Sequence, residues 1–496
     1  MIPLLLQTDL TAQFENTFSG PAGAATLAPL ILGLAAVVLL LIEILPLRAA
    51  RPFVVGGALI ASIAAAATQV SDPAGSVLGG IYHSTSATAL FNMVFGLGAL
   101  LAWVYSLGYY KDHLKDLLSE HDMLFLTAPT GMMLMVGATD LLVFFIGLEV
   151  LSLPLYALTA FRRRRVDSVE GGLKYFLLGA FASAFFLFGA ALLFVATGSL
   201  SLAGLAESAS GSLAYSPIFL AGAGLLMAGL FFKVSVFPFH LWVPDVYQGA
   251  PTPVTTLMAT GTKAAAFGFM IPLAFILPVE ATGTIAAVAL LTMAAGNLAA
   301  LVQTNLKRMM AYSGVAHAGT VLLVIVAYLA SNHDGAAQEA GFHAALFYLG
   351  AYLFTSTGTF GLMAMLEREG EEKLTLAGMR GLAQRRPVVA AAMTLFMLSL
   401  GGIPATGGFF GKWFVFVQLV EQDMIGVAIL GALMSVIALG YYLRVIVTMW
   451  MQPLDDESSA GQPAPQALPA SVATLVCAVG VFAMGIMPGW FLGFLA

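Results

Sequence analysis

The chain has 496 residues, 60% of them hydrophobic and 9% charged, with a formal net charge of −6. A soluble domain carries about 25% charged residues, so soluble enzymes and nucleic-acid-binding domains are excluded and no nucleic acid is expected as a partner. What remains is an all-α integral membrane protein whose solvent is the lipid bilayer.

A span needs about 20 mostly apolar residues, and the chain offers about fourteen such stretches. Residues 1–26 precede them and hold no basic residue, so they lack the positive n-region of a signal peptide. Residues 27–120 carry spans 1–3, predicted at 27–47, 53–71 and 89–109. Residues 121–278 carry spans 4–8, at 122–137, 139–160, 172–197, 217–246 and 253–278. Residues 279–450 carry spans 9–13, at 283–303, 309–330, 341–365, 388–420 and 423–450. Residues 451–496 hold a polar linker, Asp455–Pro469 (DDESSAGQPAPQALP), and a last span at 469–494. The single cysteine, Cys477, excludes an internal disulfide and a cysteine-ligated iron–sulfur cluster.

The basic residues are placed by one rule. Arg48 and Arg51 follow span 1, Lys111 and Lys115 span 3, and Arg162, Arg163, Arg164 and Arg165 span 5, with Lys174 close behind. Lys307 and Arg308 follow span 9; Arg368, Lys373, Arg380, Arg385 and Arg386 follow span 11. None lies before span 1 or in a loop after an even-numbered span. The positive-inside rule then puts the odd loops in the cytoplasm and both termini outside. The run Arg162–Arg165 reads most simply as a topology determinant.

Spans 7 and 12 are interrupted. The first reads FFKVSVFPFHLWVP, with Pro238 and Pro244; the second reads LSLGGIPATGGFFGKWF, with Pro404. A proline leaves a carbonyl without its helical donor, which lipid tolerates only against protein or a water-filled cavity. Two broken helices in corresponding places point to an inverted repeat with its site at mid-membrane. By layout alone, spans 4–8 and 9–13 form two such five-helix repeats.

Four ionisable groups stand alone in apolar sequence: Glu149 in LLVFFIGLEVLSLPL, Lys233 in LLMAGLFFKVSVFPF, Lys263 in LMATGTKAAAFGFM and Lys412 in GGFFGKWFVFVQLV. Glu149 lies nine residues from Asp140 at the outer end of span 5, about 13 Å deep at 1.5 Å per residue. Ionisable groups at such depth face a bundle interior, a cavity or an ion path. Burial disfavours the charged form of a lysine and a nearby carboxylate favours it, and a lysine held between the two can carry protons. The expected function is a proton or cation translocator. Lys174, His240, His317 and His343 are candidate relay or modulating groups; Glu43 sits close enough to the interface to be structural. Phosphate-loop chemistry is rejected, because around GKW at 411–413 Thr406 replaces the first glycine and Trp413 the Ser/Thr. No HExxH, G-x-S-x-G or Rossmann fingerprint occurs, and no metal site is expected.

The motifs resemble those of a known family. FFKVSVFPFHLWVPDVYQGAPTPVT resembles the seventh-helix motif of the antiporter-like subunits of respiratory complex I, GLEVLSLPLYAL the fifth-helix glutamate motif, and GIPATGGFFGKW the twelfth-helix motif. The wording of YQGAPTPV and TKAAAFG is similar to the N-type subunits of bacterial NADH:quinone oxidoreductase; Lys412 departs from the M-type, which carries glutamate there. The resemblance implies fourteen helices with two inverted five-helix repeats, at 121–278 and 279–450. It implies that Glu149 and Lys233 form one ionisable pair modulated by Lys174, that Lys263 is the central relay, and that Lys412 is the far-side lysine. It also implies no redox cofactor in this chain, M-, K- and J-like membrane subunits as partners, a bacterial inner membrane, and proton movement driven by NADH-to-quinone electron transfer elsewhere. The alternatives are a subunit of a multi-subunit sodium/proton antiporter, similar in plan, and a non-conducting membrane scaffold.

Overall fold

The computed structural model describes residues 20–45, 47–113, 118–367, 374–453 and 468–493. Most of the expected N-terminal segment 1–26 and of the linker Asp455–Pro469 lies outside the described residues, as do Lys115, Arg368 and Lys373.

Helices occupy every stretch that hydropathy marks. In chain order they are α1 (Gly20–Ile44), α2 (Arg51–Ser71), α3 (Ser86–His113), α4 (Leu118–Gly137), α5 (Leu141–Thr159) and α6 (Val166–Thr197). Then come α7 (Pro217–Val234), α8 (Val243–Gly249), α9 (Thr252–Ile276), α10 (Thr282–Leu301), α11 (Leu306–Ala330) and α12 (Gly335–Glu367). The last are α13 (Pro387–Gly401), α14 (Gly407–Glu421), α15 (Ile425–Met451) and α16 (Leu468–Ile486). Among the described residues, twelve helices are long and apolar enough to cross a membrane. The expected all-α chain has one addition, a small antiparallel hairpin pairing Gly75–Val77 with Tyr82–Ser84. Several expected boundaries move: span 1 starts at Gly20 and span 6 at Val166, each six or seven residues early. Span 11 starts earlier, at Gly335, and the last span stops at Ile486 before Pro488 opens a separate short turn.

Both interruptions fall where proline predicts them. α7 stops at Val234 because Ser235 turns left-handed (φ 67°), and the peptide Phe237–Pro238 is cis. The freed groups find protein partners: the Trp242 indole donates to Phe232 O at 3.1 Å and Phe237 N donates to Thr292 Oγ1 at 3.0 Å. α13 stops at Gly401, where Gly402 adopts φ 82°, a conformation a side chain resists.

Burial ranks the helices. The apolar windows of α9, α11 and α12 are 89%, 94% and 94% buried, whereas that of α15 is 28% buried. A helix apolar on all sides belongs inside a bundle, so these three form the centre and the outer helices present Leu, Phe and Val outward. One end of the bundle gathers the start of α11, the segment after α12 and the end of α15, through the Asn305–Thr375 bridge and Gly381 N donating to Gln452 O at 3.0 Å. The opposite end is tied by the Tyr82–Ala138 and Asp140–Ser201 bridges.

Candidate functional site

The lone lysines all point into the bundle. Lys233, Lys263 and Lys412 are 2%, 2% and 8% exposed. Lys233 is in the last turn of α7, where its Nζ donates to Ser152 Oγ at 2.7 Å and Tyr156 OH at 3.2 Å, both on α5. The Tyr156 and Tyr175 rings lie 5.3 and 5.6 Å from the ammonium, where their faces attract a cation. Glu149, half-buried one turn before Ser152, accepts instead from Ser183 Oγ at 2.5 Å. Glu149 thus lies on the helix that Lys233 contacts, but the two form no ion pair with one another among the described residues.

Lys174 is also placed differently from the expectation. Its Nζ donates to Glu170 at 2.6 Å and to Asp245 at 2.7 Å, not to Glu149. Asp245 is in the first turn of α8, and Arg308 grips its other oxygen at 2.6 Å. The reason is geometric. Glu149 is mid-helix on α5, while Lys174 lies near the start of α6, at the level of the loop that precedes it.

Lys263 follows a π turn, Met258–Thr262, inside α9. Such single wide turns are frequent at functional sites. Its Nζ donates to Tyr247 OH at 3.1 Å. Gly314 on α11 leaves room beside it: a Cβ there would stand 3.2 Å from both Lys263 Nζ and Tyr352 OH. One turn further along α11, His317 contacts Tyr348 OH at 2.5 Å through Nδ1 and Tyr442 OH at 3.1 Å through Nε2, and its ring lies 5.0 Å from that of Tyr352. Two small cavities, each of about 10 Å³, flank His317, the first also lined by Lys412.

Lys412 lies in α14 and reaches back across the break. Its Nζ donates to Leu400 O at 3.0 Å and Gly401 O at 3.1 Å, the last carbonyls of α13. The negative end of a helix dipole favours a cation there.

Pro238 and Pro404 lie in the two breaks, as expected. His240 is buried beside the first, but α7 has already ended, so it does not continue the face of Lys233. His343 is half-buried near the start of α12, and among the described residues no hydrogen bond joins it to the other candidates. The sequence reading missed Ser152, Tyr156, Tyr247, Tyr348, Tyr352 and Tyr442. Their signal was tyrosine or serine inside apolar spans, which becomes specific only when a lysine or histidine faces it. It also took Lys307 for a loop charge; Lys307 is 3% exposed and donates to Ala250 O at 2.6 Å. Glu367, 3% exposed, lies in the same layer and accepts from Arg162 at 2.9 Å, Tyr109 OH at 3.1 Å and Thr252 Oγ1. Among the described residues, no three histidine, cysteine, aspartate or glutamate side chains gather as a metal site would require.

A helical membrane bundle with two broken helices, each paired with a buried lysine, is the architecture of the antiporter-like membrane proteins. Residues 138–438 match the family described as NADH:quinone oxidoreductase/Mrp antiporter, transmembrane. Among similar proteins, NADH-quinone oxidoreductase subunit N of Salinibacter ruber is 41% identical, covering 85% of this chain and 84% of that one. Subunit N of Myxococcus xanthus is 39% identical over 95% and 96% of the two chains. A chain in the structure of respiratory complex I from Thermus thermophilus with bound aureothin superposes with a TM-score of 0.79 at 34% identity, covering 95% and 99%. The chain belongs to this family and, within it, to the subunit N group.

Proposed function

We propose that this chain is a proton-translocating membrane subunit of a bacterial NADH:quinone oxidoreductase. Protons move along Lys233, Lys263, His317 and Lys412, with Glu149 biasing the first lysine from α5, the helix that Lys233 contacts. Electron transfer from NADH to quinone belongs to other subunits, and this chain carries no redox chemistry of its own. Its neighbours are M-, K- and J-like membrane subunits and the bilayer of the inner membrane. The two halves, 121–278 and 279–450, act as inverted repeats, with the basic end of the bundle in the cytoplasm and both termini in the periplasm.

One observation carries the reading. Each buried ammonium rests on neutral oxygens: hydroxyls for Lys233 and Lys263, carbonyls for Lys412. A lysine locked to a carboxylate stays charged, whereas neutral acceptors leave both protonation states accessible. A scaffold gains nothing from three such groups, whose burial is costly. Hydroxyls and the His317 imidazole lie between them, and two small cavities flank that histidine. The antiporter reading is weaker, because the similar relatives at 39–41% identity carry the subunit N name.

The test is proton pumping per NADH oxidised, in vesicles matched for assembled complex. Lys233→Ala is expected to assemble and lose most pumping, and Lys233→Arg, which cannot deprotonate, is expected not to restore it. Near-normal pumping in Lys233→Ala sinks the relay, and sodium-dependent exchange without NADH favours the antiporter.

A further inference from the structure

The seven-residue helix α8 is held by side chains rather than by helix continuity. It is separated from α7 by the break at 235–242 and joined to α9 through Ala250 and Pro251. A helix this short is not stable alone. Its buried side carries Tyr247, whose hydroxyl accepts from Lys263 Nζ at 3.1 Å. Asp245, two residues earlier, points to a different side, since residues i and i+2 do not share a helix face. Its carboxylate is shared: Lys174 on α6 donates to Oδ2 at 2.7 Å, and Arg308 on α11 to Oδ1 at 2.6 Å. Arg308 also reaches Gln248 Oε1 at 3.3 Å, and the neighbouring Lys307 donates to Ala250 O at 2.6 Å, just past the end of α8. Gly249 closes directly on the start of α6, where a Cβ would meet Asp167 O at 2.3 Å.

We propose that Asp245 is a positioning residue for the Lys263 relay: its carboxylate, shared by Lys174 of α6 and Arg308 of α11, sets where α8 holds the Tyr247 hydroxyl against Lys263. The inference rests on the reading of Lys263 as a proton carrier. It gives Lys174 a partner that the family resemblance did not, and it makes the placement of the Lys263 acceptor depend on how α6 and α11 stand relative to one another. A displacement between those helices draws the carboxylate with one cation or the other, and Tyr247 moves with it.

Asp245→Asn keeps the shape and removes the charge; Asp245→Glu keeps the charge. Two readouts apply to the assembled complex: proton pumping per NADH oxidised, and deuterium uptake of peptides covering 243–250. Asp245→Asn is expected to lower pumping about fivefold and to raise uptake in 243–250 while distant helices stay unchanged, and Asp245→Glu to restore most of both. Tyr247→Phe should resemble Asp245→Asn in pumping, and the double variant should be no worse than Tyr247→Phe alone, because both changes act through one hydroxyl. Multiplying losses in the double variant, or unchanged uptake in Asp245→Asn, overturns the proposal. If Asn blocks assembly, Lys174→Gln and Arg308→Gln, each leaving one cation in place, are expected to give intermediate losses; full pumping in both overturns it as well. Lys263→Met is measured alongside. Normal pumping there overturns the relay itself and with it this role, whereas lost pumping there beside normal pumping in Asp245→Asn overturns the positioning role alone.

Discussion

At the scale of single residues, the partner of each buried lysine decides what it can do. Lys412 is the clearest case, because its ammonium rests on Leu400 O and Gly401 O, the carbonyl end of α13. Lys412→Met removes the titratable group and leaves those carbonyls without their cation. Lys412→Glu does more harm: a carboxylate cannot donate to them and puts negative charge at the negative helix end. Hydrogen bonds to a charged group contribute ~1.5–3 kcal/mol each, so both variants should lower the thermal stability of the assembled complex, glutamate further than methionine. Both should also pump less than wild type. Glutamate pumping better than methionine would show that titration at 412 matters more than the capping contact. The M-type resemblance alone suggests that glutamate is acceptable here; the carbonyls facing residue 412 argue otherwise.

At the scale of elements, the two breaks were legible because proline and clustered glycine punctuate otherwise apolar spans. What closes them was not. Trp242 capping Phe232 O, Thr292 receiving Phe237 N–H and Lys412 capping α13 are contacts between residues from 10 to 55 positions apart in the chain. The break at α13–α14 is held at close quarters. A Cβ on Gly408 would stand 1.9 Å from Ser399 O, whereas one on Gly426 meets open space. Backbone cannot give way as a flexible side chain can, and overpacking costs ~1–3 kcal/mol or more. Gly408→Ala is therefore expected to cut the amount of assembled complex sharply on a native gel, and Gly426→Ala to leave it at the wild-type level. Equal assembly in the two would mean that the half-helices are not packed as described.

At the scale of the whole molecule, the alternation of basic loops and the helices agree. Arg162, Arg308 and Arg380 lie with Glu367, Asp245 and Gln452 at one end of the bundle, while the hairpin and the bridges from Ala138 and Asp140 lie at the other. Hydropathy could locate the spans, since each must satisfy its own backbone in lipid, although twelve helices among the described residues, rather than about fourteen, are long and apolar enough to cross. It could not rank them, because helices facing lipid and helices facing protein are equally apolar. That α9, α11 and α12 form the centre, and so carry Lys263 and His317 away from lipid, emerges only from packing. The orientation proposed from the positive-inside rule is open to direct measurement. Arg164 and Ser210 are exposed and lie at opposite ends of α6 and its flanking segments, and Cys477 is 0% exposed. In a Cys477→Ser background, Arg164→Cys should react with an impermeant thiol reagent only in inverted vesicles. Ser210→Cys should react only in intact cells whose outer membrane has been made permeable. The two substitutions remove at most one of the four arginines at 162–165, so the positive-inside bias that sets the orientation survives them. Labelling of both from one side would require an even number of crossings between them, which α6 as a single 32-residue helix does not allow. Labelling from opposite sides but in the reverse sense would keep the fold and invert the membrane. The basic end of the bundle would then face the periplasm, and the positive-inside bias would have to be outweighed by contacts with neighbouring subunits.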